Sequence, residues 1–283
     1  DRIIWRSSRL CPSLLLHIYS IRAKLAGLDG AYLILSFDCD TEKDIEVVAK
    51  VDAFLESKGI KAVYAVPGQL LEEGKNVYRR LSDKGNEFIN HGYYKHSIFQ
   101  DGRYISQFYY DKIGEKNIID DIDRGHHAVI DVTGNRPFGF RVPHFGTYQK
   151  KSQLSFLYNA LKSRGYAYSS STPPIKAFCH GPIIDMGGFY EIPVSGCYDI
   201  PLLILDSWNF RFAPGRKVSE RDYVVQFKKM IDFFVNSNRP SLLNYYADPS
   251  QIYDFDGFYE AIEYFTNKCQ NTTDYRGLLK NIL

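Results

Sequence analysis

At 283 residues, 45% of them hydrophobic, the chain is long enough to bury one substantial core, and a single main domain is expected. Its 35 Lys and Arg against 33 Asp and Glu leave no basic footprint of the kind that nucleic-acid binding requires, so no nucleic-acid partner is expected. No run of about eighteen apolar residues occurs, which argues against a bilayer-spanning helix.

The first 28 residues form a segment of their own. Arg2, Arg6, Arg9, Arg22 and Lys24 are interleaved there with Ile3, Ile4, Trp5, Leu10, Leu14, Leu15, Leu16, Ile18, Ile21 and Leu25. A basic amphipathic segment of this kind either lies on an anionic membrane surface or forms a helix, broken near Pro12, that packs on the domain or on a second subunit. Packing is the commoner fate of such helices.

From residue 29 to 283 the pattern alternates between strand and helix, which predicts an α/β architecture with a parallel sheet. Residues 31–37 read as a buried strand with Asp38, Cys39 and Asp40 at its C-terminal end. Helical spacing follows through Val47, Val48, Val51, Phe54 and Leu55 until Gly59. A strand at 61–66 ends at Pro67-Gly68, a helix runs to about Asp83, and a third strand at 86–90 leads into His91. A helix over 115–131, a strand at 138–141, a helix over 151–164 and a strand at 166–169 come next. Later strands are predicted at 190–193 and 242–246, and a helix over 257–269. The sum is a distorted (β/α) barrel of about seven parallel strands, a fold that places its chemistry at the C-terminal strand ends.

The polar residues that interrupt this pattern fall at those ends. Asp38 and Asp40 follow the first strand, His91 and His96 the third, and Arg141 the next. Two carboxylates, two imidazoles and a guanidinium at one barrel mouth make a mononuclear site for a borderline divalent metal, with positions left open for water and substrate. The five cysteines, Cys11, Cys39, Cys179, Cys197 and Cys269, are odd in number and show no C-x-x-C pairing, so they are expected to be reduced thiols rather than ligands. That usage points to a cytoplasmic protein, or to one peripheral at the inner face of a membrane.

Several of these stretches resemble the polysaccharide deacetylase family, NodB-like and akin to the family 4 carbohydrate esterases. Ser36-Phe37-Asp38-Cys39-Asp40-Thr41 resembles its first motif, and Lys61 to Gly68 is similar to the strand that follows. Lys84 to Gly92 leads into the histidine motif. Gly139-Phe140-Arg141-Val142-Pro143-His144-Phe145-Gly146 resembles the arginine-proline motif, Arg164 to Ser171 the segment after it, and Glu191-Ile192-Pro193-Val194-Ser195 also matches. The resemblance implies a metal, usually zinc, held by Asp40, His91 and His96, with Asp38 as the base. It further implies that Arg141 holds Asp38 and that the backbone N–H of His144 helps to stabilise an oxyanion. Asp206-Ser207-Trp208 falls where the family has a pocket-wall motif, with Trp208 offering a face for a sugar ring and Phe145 a second substrate contact. A carbohydrate substrate follows, an amino sugar of a glycan or glycan precursor that loses an N-acetyl or short N-acyl group, as in surface polysaccharide biosynthesis.

The sequence departs from the family pattern twice. His91 and His96 stand five residues apart instead of four, and five residues turn an ideal helix by about 140° rather than 40°. A π-bulge or a loop eased by Gly92 is therefore needed to bring both rings to one ion. Near the C-terminus, Asp248 of Leu242-Leu243-Asn244-Tyr245-Tyr246-Ala247-Asp248-Pro249 stands where the family usually carries a His that protonates the leaving amine. Asp248 can do that work if its pKa is raised; otherwise it caps the next helix, and His144 and His180 are the substitutes. The alternatives to a sugar deacetylase are an amidase of the same fold acting on a non-sugar C–N bond and a catalytically inactive glycan-binding protein. No residue pattern fixes an oligomeric state.

Overall fold

In the computed structural model, which describes Ile4, Ser8 and residues 10–282, helix α1 (Pro12–Leu25) begins at a proline whose ring presets the first helical turn. Ser8 and Leu10 are helical, Cys11 is not (φ −145°, ψ 70°), and the helix resumes at Pro12, so the helix is broken before Pro12 as predicted. Leu15, Leu16, Tyr19 and Ala23 of α1 are buried against the domain, and the Tyr19 hydroxyl donates to the Leu242 carbonyl. Arg2, Ile3, Trp5, Arg6 and Arg9 of the basic segment lie outside the described residues.

Strand β1 (Ala31–Asp38) is buried along nearly its whole length, as expected of a parallel strand covered on both faces. After it come α2 (Glu42–Ser57), β2 (Val63–Val66), α3 (Gly68–Glu73), α4 (Lys75–Asp83) and β3 (Glu87–Asn90). A hairpin of β4 (Ser97–Gln100) and β5 (Arg103–Ser106) follows, then α5 (Glu115–Thr133), β6 (Gly139–Phe140), α6 (Lys151–Ser163), β7 (Tyr168–Ser169) and α7 (Pro174–His180). The chain continues through β8 (Ile184–Asp185), β9 (Tyr190–Glu191), α8 (Glu220–Phe234), β10 (Ser241–Ala247), α9 (Pro249–Ile252), α10 (Asp256–Lys268) and α11 (Tyr275–Ile282). The main sheet has the order β10-β1-β2-β3-β6-β7-β9-β8. Seven of its strands are parallel and only β8 runs against its neighbour, so the predicted barrel of about seven parallel strands is observed.

The curled sheet does not close by a ladder. Its open seam is bridged by Asn244 of β10, whose side-chain amide donates to the Ile192 and Pro193 carbonyls (3.1 and 3.0 Å), while Ser195 N donates to Asn244 O (2.8 Å). Buried polar groups are paired here by side chains instead of strand neighbours.

Predicted boundaries shift where local chemistry intervenes. The helix expected to run unbroken to Asp83 is two helices hinged at Gly74, where an added Cβ would overlap the Tyr78 ring. The β4–β5 hairpin escapes the sequence reading although Asp101 and Gly102 both sit at positive φ (51° and 73°), the signature of a two-residue Asp-Gly hairpin turn. Helices α7, α8 and α11 were likewise not anticipated.

At the N-terminal ends of the strands, Glu87 is buried and accepts bonds from Tyr168 Oη (2.9 Å), Tyr275 N (3.0 Å) and Arg276 N (3.3 Å), fastening α11 beneath the sheet. Burial, reinforced by the charge of Asp274, pushes its carboxyl from 4.5 up to about 7. The folded protein therefore keeps a proton that the unfolded chain releases between those values. The associated stability is complete below pH 4.5 and lost as pH rises through 7, by up to about 3 kcal/mol. Asp206 and Asp44, pushed up by burial to about 7 and about 6, add to the same slope. Denaturant midpoints measured across this window are expected to fall with pH, and less steeply in Glu87→Gln. An identical slope in the variant would show that Glu87 is not the titrating group.

Candidate active site

Asp38 ends β1, Asp40 follows it, and Arg141 follows β6, so parallel strands deliver all three to one end of the sheet. Arg141 is fully buried and its guanidinium is used on every side. Nη1 donates to Asp38 Oδ1 (2.5 Å), Nη2 to Ser36 Oγ and Tyr275 Oη (2.9 Å each), and Nε to the Ser170 carbonyl (3.1 Å). A buried guanidinium needs a counter-charge and a full set of acceptors, and Asp38 supplies the charge. The carboxylate is thereby fixed with its other oxygen 3.9 Å from His91 Nε2.

The two histidines are carried by an irregular loop, with neither a helix nor a π-bulge between β3 and β4. Gly92 sits at φ 77°, a region that L side chains rarely adopt, and a Cβ there would overlap Asp121 Oδ2. Asp121 explains the loop's shape: its carboxylate accepts from the backbone N–H groups of Tyr93 and Tyr94 (2.9 Å each) and from Tyr110 Oη (2.6 Å). The five-residue spacing is thus accommodated by a loop wrapped on a buried carboxylate of α5, and the rings of His91 and His96 meet edge to face at 4.5 Å.

One donor atom from each of Asp40, His91 and His96 lies within 4.8 Å of the others. His91 Nδ1 is 2.8 Å from the Arg141 carbonyl, which can only accept, so Nδ1 carries the proton and Nε2 the lone pair. That Nε2 is buried without a hydrogen-bond partner, 3.4 Å from Asp40 Oδ1, and His96 Nε2 lies 2.8 Å from the same oxygen. Burial opposes ionisation of Asp40, but His96 and His91 outweigh it and hold the carboxyl well below its usual range. Two imidazoles and one ionised carboxylate, one imidazole already oriented by a backbone carbonyl, form a donor set that fits a divalent metal.

The cluster opens into a cavity of about 470 Å³. Asp38, Asp40, His144, Phe145, Trp208, Tyr246 and Asp248 all line it, so eight of the nine residues predicted for the site meet at one place or directly beneath it, and Arg141 lies behind Asp38. Phe145 packs on Tyr246 (ring centroids 4.6 Å apart), and Trp208 meets Tyr104 of the β4–β5 hairpin edge-on (6.2 Å). His144 occupies the left-handed backbone region at φ 60°, a conformation costly for a side chain that large. Burial and the neighbouring His96 push its imidazole down to about 4. Asp248 precedes α9 but makes no side-chain cap, which corrects the capping alternative. Burial and then the carboxylates of Asp40, Asp44 and Asp38 push its pKa well above the usual range.

His180 is not part of this assembly. It ends α7, exposed, beside Lys176 and Arg22, so it is no substitute acid. Several supporting groups were missed in the sequence: Asp44, Asp121, Ser170 and Tyr275. Asp121 carried a signal, since it shares the buried face of α5 with Ile118 and Ile122. Asp44 carried another, three residues after Thr41, whose N–H and hydroxyl it accepts (2.9 and 2.8 Å) as a capping box does.

Solved structures share this architecture. A putative polysaccharide deacetylase from Mycobacterium smegmatis superposes over 90% of each chain at 16% identity with a TM-score of 0.65. A probable polysaccharide deacetylase from Pseudomonas aeruginosa PAO1 does so over 89% of this chain and 91% of its own at 12% identity, TM-score 0.67. Puue allantoinase covers 89% of each chain at 12% identity, TM-score 0.65. At such identities the likeness is one of fold. No curated protein matches the sequence. Residues 27–168, half of the chain, match the sequence profile described as polysaccharide deacetylase, and that span contains the strand-end aspartates, the histidine loop and the buried arginine: the chain belongs to the polysaccharide deacetylase family.

Proposed function

We propose that the protein is a metal-dependent hydrolase that removes an N-acetyl or short N-acyl group from an amino sugar of a glycan. The observation that carries this reading is the adjacency of two functions at one cavity wall: three convergent donors for a divalent metal, zinc being the best match to two His and one Asp, and beside them an Asp38 locked by Arg141. A metal held there would supply Lewis acidity, making water acidic near neutral pH and drawing charge from an amide oxygen. Asp38 is placed to accept the proton of an attacking water, and Arg141 keeps it aimed.

The leaving nitrogen needs a proton. His144, pushed down to about 4, is neutral at physiological pH and has none to spare. Asp248, whose pKa is raised by burial and by the neighbouring carboxylates, faces the same cavity; it is the acid of this reading. Phe145, Tyr246 and Trp208 offer flat apolar faces of the kind on which sugar rings stack. Among the described residues that line the cavity there are five aspartates, Asp38, Asp40, Asp44, Asp206 and Asp248, and neither Lys nor Arg. With no side-chain cation in the lining to pair with phosphate, the cavity favours an uncharged glycan over a nucleotide-linked sugar.

The test is acetate release from N-acetylglucosamine oligosaccharides by the zinc-loaded protein, run beside allantoin and simple amides. Turnover confined to the sugars supports the reading, and turnover confined to the others makes the protein an amidase. Absence of turnover with saturable oligosaccharide binding makes it a glycan-binding protein. In an active enzyme Asp248→Asn is expected to lower kcat about 100-fold with little change in KM, while His144→Ala retains most of kcat; the reverse order would move the acid to His144.

A further inference from the structure

Helix α1 is apolar on two opposite faces, and the domain uses only one. Leu15, Leu16, Tyr19 and Ala23 are buried. On the other side Leu14, Ile18, Ile21 and Leu25 are 52, 37, 62 and 82% exposed, and Leu10, just ahead of the helix, is 81% exposed. At about 100° per residue the four helical positions fall within about 60° of arc. Isolated exposed leucines need no explanation, but a continuous stripe of them marks a contact surface.

Charge decides what covers it. From residue 2 to residue 28 the sequence holds Arg2, Arg6, Arg9, Arg22 and Lys24 and no carboxylate. Lys24 is exposed, on the opposite flank of the stripe from Arg22, whose guanidinium donates to the Cys179 carbonyl. The neighbouring helix α7 adds Lys176, and Lys176 and Arg22 both reinforce the lowering of the His180 pKa that burial begins. A second copy docked along the stripe would bring these cations against their own kind, whereas an anionic surface neutralises them.

We infer that the outer face of α1 is a docking surface for an anionic lipid bilayer. The helix lies in the interface plane with Leu14, Ile18, Ile21 and Leu25 among the acyl chains and Lys24 at the headgroups. No helix among the described residues is long and apolar enough to span the bilayer, so the contact is peripheral. Tyr19 anchors α1 near the start of β10, at Leu242, while the cavity lies past that strand's other end, at Tyr246 and Asp248. Docking therefore leaves the cavity open, and the inference does not depend on the chemistry performed there.

The experiment is co-flotation of the full chain with phosphatidylcholine vesicles, with and without phosphatidylglycerol, at low and high salt. Binding is expected only with phosphatidylglycerol and is expected to weaken with salt. Ile21→Ser should weaken it at least about tenfold and Lys24→Glu, a change of two charges, about 25-fold. Both positions are exposed, so thermal unfolding of the variants should match the wild type and show that they fold. Absence of vesicle binding by the wild type overturns the inference, as does wild-type binding by folded Ile21→Ser. A dimer in sedimentation equilibrium that Ile21→Ser dissolves, without vesicle binding, would assign the face to a second copy and equally overturn it.

Discussion

Asp38→Asn is expected to lower kcat by about a thousandfold while leaving the metal content of the protein unchanged. The amide keeps the shape of the carboxylate but cannot take up a proton, and general-base contributions of this size are usual. It also removes the one carboxylate that, among the described residues, pairs with Arg141, a fully buried cation. Breaking one side of a buried pair is costly because the partner's charge remains, so a loss of about 3 kcal/mol in stability is expected as well. The two effects separate experimentally: circular dichroism and denaturant titration report the second, and turnover normalised to folded protein reports the first. Asp38 lies outside the set of Asp40, His91 and His96, which is why metal content should survive. Normal turnover in folded Asp38→Asn would remove Asp38 as the base.

The parts of the fold legible in the sequence are those fixed by local pattern. The run ending at Asp38 is apolar on both faces, so its status as a central strand and the position of its polar tail could be read directly; the same holds for the strand ending at Asn90 before His91. Gly92 was legible too, since a spacing of five residues between imidazoles demands an excursion that only a flexible backbone supplies, and the observed φ of 77° is that excursion. What decided its form was not legible. Asp121 lies some thirty residues away, and its carboxylate shapes the loop only because α5 packs beside β3.

The same contrast separates the cluster from its supports. Asp38, Asp40, His91, His96 and Arg141 stand at strand ends, where sequence position translates into spatial position. Ser170, Asn244 and Tyr275 hold Arg141 or one another through bonds of 2.7 to 3.3 Å, yet they come from three separate parts of the chain and carry no pattern of their own. Tyr275 in particular belongs to α11, a helix of eight residues too short for periodicity to announce it. The hairpin that supplies Tyr104 was announced by Asp101-Gly102, but its strands alternate weakly and bury little, so the apolar signal that usually marks strands was missing.

Asp40→Ala and His96→Ala are each expected to abolish metal binding, against about one zinc per chain in the wild type. Asp40 is the hub of the donor set, with His96 Nε2 at 2.8 Å and His91 Nε2 at 3.4 Å from the same oxygen. Removing it leaves two imidazoles, too few ligands and no anionic donor for tight binding. Removing His96 leaves His91 and Asp40, a pair that leaves half of a tetrahedral shell to solvent. Elemental analysis reads the content, and stability gives an independent reading. A metal that binds only the folded chain stabilises it by about 4 kcal/mol at a thousandfold excess over Kd, so zinc should raise the melting temperature of the wild type and a chelator should reverse the shift. Neither should act on the two variants. Zinc stabilisation that persists in His96→Ala would place the ion elsewhere, while a wild type that neither holds nor responds to zinc would leave His91 Nε2 a buried lone pair without a partner and take the Lewis acid out of the proposed reaction.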